Sequence, residues 1–229
     1  MNIKWIFFDI GSTLVDEMPV YEYRLKGIAD AIGISYKKAA NLAKPYYNQN
    51  LDGEVELAKK LNISIPKWDS NLEEVYLDSE PCLKELSKRF NIGIIANQPL
   101  GTSKRLEKFG LLKYIKVVIS SAEEGVAKPD PKIFELALQR ANCLPKEAIM
   151  IGDRVEKDII PAKKLGMFTI WLKRGYGKYW NINSEDERPN FIINDLTELS
   201  EIIEKIVLLI IKIKISIQIN MTKTILKRI

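Results

Sequence analysis

Trp5–Phe8 is an unbroken apolar run, and it delivers a carboxylate, Asp9, into a turn of small residues, Gly11, Ser12 and Thr13. A segment apolar on both faces suits a strand covered on both sides, the situation of parallel sheets packed between helices. The pattern returns downstream. Apolar blocks at 92–96, 115–119, 148–151, Phe168–Leu172 and Phe191–Ile193 alternate with helical spacing at 81–90, 102–109, 131–141 and 157–165. Gly110 and Gly166 stand where two of these helices should end. Such alternation predicts an α/β fold, a doubly wound parallel sheet with helices on both faces and active residues at the carboxyl ends of the strands. Asp9 falls at one such end, where it either performs chemistry or caps the turn.

Between Val15 and about Pro81 the apolar blocks give way to helical spacing, as in Tyr21, Leu25, Ile28, Ala29 and Ile32. Further helices are expected at 37–47 and 54–61, with Ile65-Pro66 as a break. The stretch reads as a helical insert after the first strand. Its Tyr21, Tyr23, Arg24, Tyr46, Tyr47 and Asn48 either line a substrate or form the core and surface of a small bundle. Near the other end, residues 211–219 alternate Ile with Lys212, Lys214, Ser216 and Gln218, a strict period of two and so a strand pattern with one Ile face, which suits an added edge strand, a self-association element or a tail of unassigned fold. The lysines argue against a membrane span.

Composition narrows the chemistry. There is no histidine among the 229 residues, which excludes Ser-His-Asp and Cys-His triads and His-ligated zinc. Carboxylates, lysine and a hard cation remain. Cys82 and Cys143 are far apart and suit small buried apolar positions. The net charge of +5 points toward a polyanion partner only until its location is considered. Six basic residues and no acid follow Glu204, and without them residues 1–204 carry −1. No nucleic-acid partner is therefore expected for the body. With Asp9 interrupting the first apolar run, no signal peptide is read, and a cytoplasmic location is the expectation.

Four stretches fall at expected strand ends: DIGSTL (9–14), Ala96-Asn97-Gln98-Pro99, GVAKPDPKIF (125–134) and IGDRVEKD (151–158). In this order and over roughly residues 3–195 the chain resembles the haloacid dehalogenase-like (HAD) hydrolase superfamily, in the branch with a helical cap after strand one. The resemblance implies a Rossmann-like core formed by residues 1–14 and 81–204, an α-helical cap formed by 15–80, and a basic Ile-rich tail, 205–229, outside the pattern. It further implies Mg²⁺, a small phosphorylated substrate and an aspartyl covalent intermediate. Asp9 is then the nucleophile. Asp9, the Gly11 carbonyl, Asp153 and Asp158 form the metal set, although Asp158 is equally suited to orienting Lys128 or capping the helix that follows. Lys128 becomes a cationic clamp on carboxylate and phosphoryl oxygens. Ser12 and Asn97 offer phosphate contacts, with the N–H groups around Gly11 and Ser12 as a nest.

Two positions depart from the family pattern. Gly11 stands where most members carry a second Asp serving as general acid and base, and Ala96 replaces a Ser or Thr hydroxyl. General acid–base help is worth about 10²–10⁴ in rate. The expected function is thus a Mg²⁺-dependent phosphatase that is weak on alkyl esters. The alternatives are a catalytically weak phosphate-binding or regulatory protein and a metal-independent haloacid dehalogenase. Monomer and dimer are equally compatible with the sequence.

Overall fold

The computed structural model describes the backbone of residues 2–226 and the side chains of residues 2–212. The chain runs β1 (Trp5–Phe8), β2 (Val15–Asp16), α1 (Met18–Ala31), α2 (Tyr36–Tyr47), α3 (Gly53–Leu61), β3 (Glu74–Val75), α4 (Ser79–Leu86) and β4 (Asn91–Ala96). It continues through α5 (Thr102–Lys108), β5 (Val117–Ser120), α6 (Ser121–Glu124), α7 (Pro131–Arg140) and β6 (Ala148–Gly152). The last elements are α8 (Ile160–Leu165), β7 (Phe168–Leu172), β8 (Phe191–Ile193) and α9 (Leu199–Leu226).

Six strands form one parallel sheet in the order β5-β4-β1-β6-β7-β8. This is the Rossmann-like α/β architecture expected from the alternation. β1 lies at the centre and is buried throughout. Its side chains divide between the two faces: Ile6 and Phe8 pack with Leu83, Leu106 and Ile203, while Trp5 and Phe7 pack with Phe134, Ala137 and Ala162. The chain winds outward from β1 through β4 and β5 on one side and through β6, β7 and β8 on the other. The order of winding therefore reverses beside β1, and the crevice at the carboxyl ends of β1, β4 and β6 is the natural ligand position.

The helical insert leaves and rejoins the core through a two-stranded antiparallel ribbon, with Val15 opposite Val75 and Asp16 opposite Glu74. The sequence pattern did not signal this ribbon, since strands of two residues carry no periodicity. The insert's helices enclose their own apolar cluster, including Leu25, Ile28, Ala43, Tyr47 and Leu57.

At the chain end the strand pattern of 211–219 is not realised as a strand, because Leu199–Leu226 is a helix. Among its described side chains the buried ones are Leu199, Ile203, Ile206 and Ile210, spaced as one helical stripe and joined to the larger core cluster. That stripe begins well before the alternating segment, and a helix docked by its first three turns propagates more easily than a strand without a partner forms. Of residues 205–229, those up to 210 thus include part of the core rather than a separate tail. Side chains from 213 onward lie outside the described residues. Replacing Ile206 by Ala should cost about 2–5 kcal/mol. Urea unfolding checks this, and an unchanged midpoint would show that α9 does not hold the fold.

Candidate active site

Asp9 follows β1, and its N–H donates to the Ile151 carbonyl of β6 at 2.9 Å. Asp153 follows β6, and its backbone carbonyl accepts the indole N–H of Trp171 on β7 at 2.9 Å. Asp158 sits one turn on, in a π turn over Val155–Ile159 that runs into α8. The turn doubles back so tightly that a β-carbon on Gly152 would lie 2.7 Å from the Asp158 β-carbon. Sheet register and this turn bring the three carboxylates together: one oxygen from each lies within 4.8 Å of the others, and all three are buried.

Lys128 enters between them from the loop before α7. Its Nζ lies 2.8 Å from Asp9 Oδ1 and 2.5 Å from Asp158 Oδ1, with the residue 4% exposed. Asn97, just beyond β4, fixes the loop by a reciprocal pair. The Lys128 N–H donates to Asn97 Oδ1 at 2.7 Å, and the Asn97 amide donates to the Lys128 carbonyl at 2.9 Å. Burial works against the Lys128 ammonium, but the Asp158 and Asp9 carboxylates outweigh it and hold its pKa above that of an ordinary lysine.

The three acids are not equivalent. Asp158 has a donor on each oxygen, Lys128 Nζ on Oδ1 and the Arg154 N–H on Oδ2 at 3.0 Å. Among the described residues Asp153 has no cation paired with its carboxylate. Burial, then the charges of Asp9 and Asp158, push its pKa far above the usual range. A buried, uncompensated carboxyl beside two others is the environment that a hard cation relieves. The donor set therefore fits a divalent ion bound through oxygen.

These groups open into a cavity of about 440 Å³, within the size range of small-molecule sites. The core contributes Asp9, Ser12, Asn97, Lys128 and Asp153 to its wall, and the insert contributes Tyr21 and Trp68. Tyr21 meets Trp68 edge-on at 5.3 Å between ring centroids. Of the six insert residues considered from sequence, Tyr21 lines this cavity. Tyr47 and Arg24 instead donate to the buried Glu54 carboxylate at 2.8 and 2.9 Å, and Tyr23 is exposed. Ser12 has positive φ and lines the cavity, but its N–H donates to the Val15 carbonyl at 2.8 Å and is not part of an open nest.

Sequence reasoning did not single out three residues at the cavity. Trp68 reaches it from the loop before β3. Arg154 reaches back to the insert and pairs with Asp52 at 2.8 Å. Glu17, 9% exposed, lies on the wall beside Gly11, and burial, then the charges of Asp9 and Glu73, push its carboxyl up to about 8. Arg154 lies within the IGDRVEKD stretch without being distinguished there, and no motif marks Trp68 or Glu17, because each reaches the site only through the fold of the insert.

The chain is similar to known proteins over most of its length. The chain is 34% identical to a glyceraldehyde 3-phosphate phosphatase of Pyrococcus furiosus, over 89% of this chain and 94% of that protein. It is 35% identical to the pyrimidine 5'-nucleotidase YjjG of Escherichia coli, over 90% of this chain and all of that one. A HAD phosphatase from Thermococcus onnurineus superposes with a TM-score of 0.62 at 26% identity, covering 87% of this chain and 97% of that chain. The model of the haloacid dehalogenase-like hydrolases matches residues 3–166, the span in which Asp9, Lys128, Asp153 and Asp158 lie. The protein belongs to the haloacid dehalogenase-like hydrolases.

Proposed function

We propose that the protein is a Mg²⁺-dependent phosphatase of a small phosphorylated metabolite, acting through an aspartyl phosphate on Asp9. The observation that carries this reading is the buried cluster at the ends of β1 and β6, where one lysine is shared by Asp9 and Asp158 while Asp153 is left for a cation. Asp9 and Asp153, with the Gly11 carbonyl, would hold the ion. When bound, it would polarise a phosphoryl oxygen and neutralise developing charge. Asp158, already holding two donors, positions Lys128 instead of binding metal. Lys128, paired with Asp9, offers its ammonium to the phosphoryl oxygens as Asp9 attacks phosphorus. The bond from phosphorus to the ester oxygen breaks, and water later cleaves the acyl phosphate. The helical insert, residues 15–80, serves as a cap whose Tyr21 and Trp68 shape the leaving-group side and keep water out.

The relatives' names support phosphomonoesters as substrates, glyceraldehyde 3-phosphate first among them. The test is inorganic phosphate release from glyceraldehyde 3-phosphate, a pyrimidine nucleoside 5'-monophosphate and p-nitrophenyl phosphate, with Mg²⁺ or with a chelator. Release in Mg²⁺ that falls by at least about 10² on chelation is expected. Silence on every ester would sink the reading, and chloride release from a 2-haloacid without metal would replace it with dehalogenation.

A further inference from the structure

Gly11 leaves a space beside the nucleophile, and that space is filled. A β-carbon built on Gly11 would lie 2.5 Å from both Cδ and Oε2 of Glu17, and closer still to Oε1. The Glu17 carboxyl therefore rests against the α-carbon two residues after Asp9, on the wall of the cavity. Only glycine at position 11 admits it there, since any side chain would collide with the carboxyl.

The place of Glu17 is built, not incidental. Asp16, the residue before it, pairs with Glu74 in the ribbon, and α1 starts immediately after it. A glutamate at a helix start commonly serves the helix, but this one does not. Its side chain makes no cap bond, and Asp16 Oδ1 accepts the Met18 N–H at 2.9 Å in its stead. Among the described residues no ion pair holds the Glu17 carboxyl. Each other acid at the site has a duty under the phosphatase reading, on which this inference rests: Asp9 attacks, Asp153 holds the cation, and Asp158 holds Lys128.

We propose that Glu17 is the proton donor and acceptor of the reaction, contributed by the junction between the core and the helical insert. In the first half, Asp9 forms a bond to phosphorus as the ester P–O bond breaks. The Glu17 carboxyl gives its proton to the departing alkoxide, which leaves as the alcohol. In the second half, the Glu17 carboxylate takes a proton from water while the water oxygen attacks phosphorus. The Asp9–phosphorus bond breaks, inorganic phosphate leaves, and both carboxyl groups return to their starting states. The loss of a carboxylate at position 11 is thus compensated from position 17.

The test uses the full chain in Mg²⁺ with two esters that differ in leaving group, glycerol 3-phosphate and p-nitrophenyl phosphate. Glu17→Gln should lower kcat/KM on the alkyl ester by about 10²–10⁴ and on the aryl ester by less than about tenfold, because nitrophenolate departs unprotonated. The same variant should release one equivalent of nitrophenol per enzyme in a burst and then turn over slowly, since water has lost its base. Glu17→Ala should behave likewise. The double variant Gly11→Asp with Glu17→Ala should recover at least about tenfold of the alkyl activity by returning a carboxyl to the vacated space. An equal loss on both esters, or an alkyl-to-aryl ratio within about threefold of wild type in Glu17→Gln, would overturn the assignment while leaving the phosphatase reading intact. A wild type silent on both of these esters, on glyceraldehyde 3-phosphate and on the nucleotide would instead sink the phosphatase reading, and this assignment with it.

Discussion

Asp9→Asn is expected to remove Mg²⁺-dependent phosphate release by about 10⁴-fold or more, equivalent to roughly 5 kcal/mol of barrier. The amide preserves the shape of the side chain but not its charge, so it neither attacks phosphorus nor forms an acyl phosphate. Binding of phosphate esters should survive, because Lys128 and the remaining cavity wall are untouched. The fold should survive too, since the substitution eases the crowding of Asp9 against Asp153 at the cost of one ion pair with Lys128. Single-turnover assays with acid trapping of phosphoenzyme check the prediction. Trapped phosphoenzyme in the variant, or turnover within tenfold of wild type, would remove Asp9 from the mechanism.

Lys128→Met should damage both rate and stability. Lys128 is the cation paired with two buried carboxylates at hydrogen-bond distance, 2.8 and 2.5 Å away. Deleting it leaves Asp9 and Asp158 crowded and unpaired, and breaking a buried pair from one side costs about 3–5 kcal/mol. The rate should fall by about 10²–10³ as well, because a charge aimed at the phosphoryl oxygens is lost. The two effects separate in a double variant. Lys128→Met with Asp158→Asn removes the stranded partner, so it should regain part of the stability and none of the rate. Denaturant unfolding and phosphate release, measured on the same preparations, read the two outcomes. Full recovery of activity in the double variant would show that Lys128 serves the fold alone.

Much of this site was legible before any coordinates. Asp9, Asn97, Lys128, Asp153 and Asp158 each lie at or just beyond an apolar block or in a punctuated loop, and a doubly wound sheet gathers such positions at one edge. What the linear pattern left open was the division of labour. The contacts of Asp158, with Lys128 on one oxygen and a backbone N–H four residues earlier on the other, are not written in the motif. Asn97 proved to hold the Lys128 loop with its side chain, a contact across 31 residues that no local pattern encodes.

By itself the sequence determined the architecture and the kind of chemistry. Buried parallel strands need unbroken apolar blocks, and a chain without histidine leaves carboxylates and lysine as the charged groups at the strand ends. The tertiary structure alone decided the state of α9 and which group lies beside Gly11. An Ile-Lys alternation is a local preference, and twelve residues of helix docked on the core before it override such a preference. Gly11 looked like a loss from the chain alone, because the carboxyl that fills its place comes from six residues away, turned inward by the ribbon and the start of α1. Periodicity records which face a side chain takes along its own element; which groups meet across elements is set only when those elements pack.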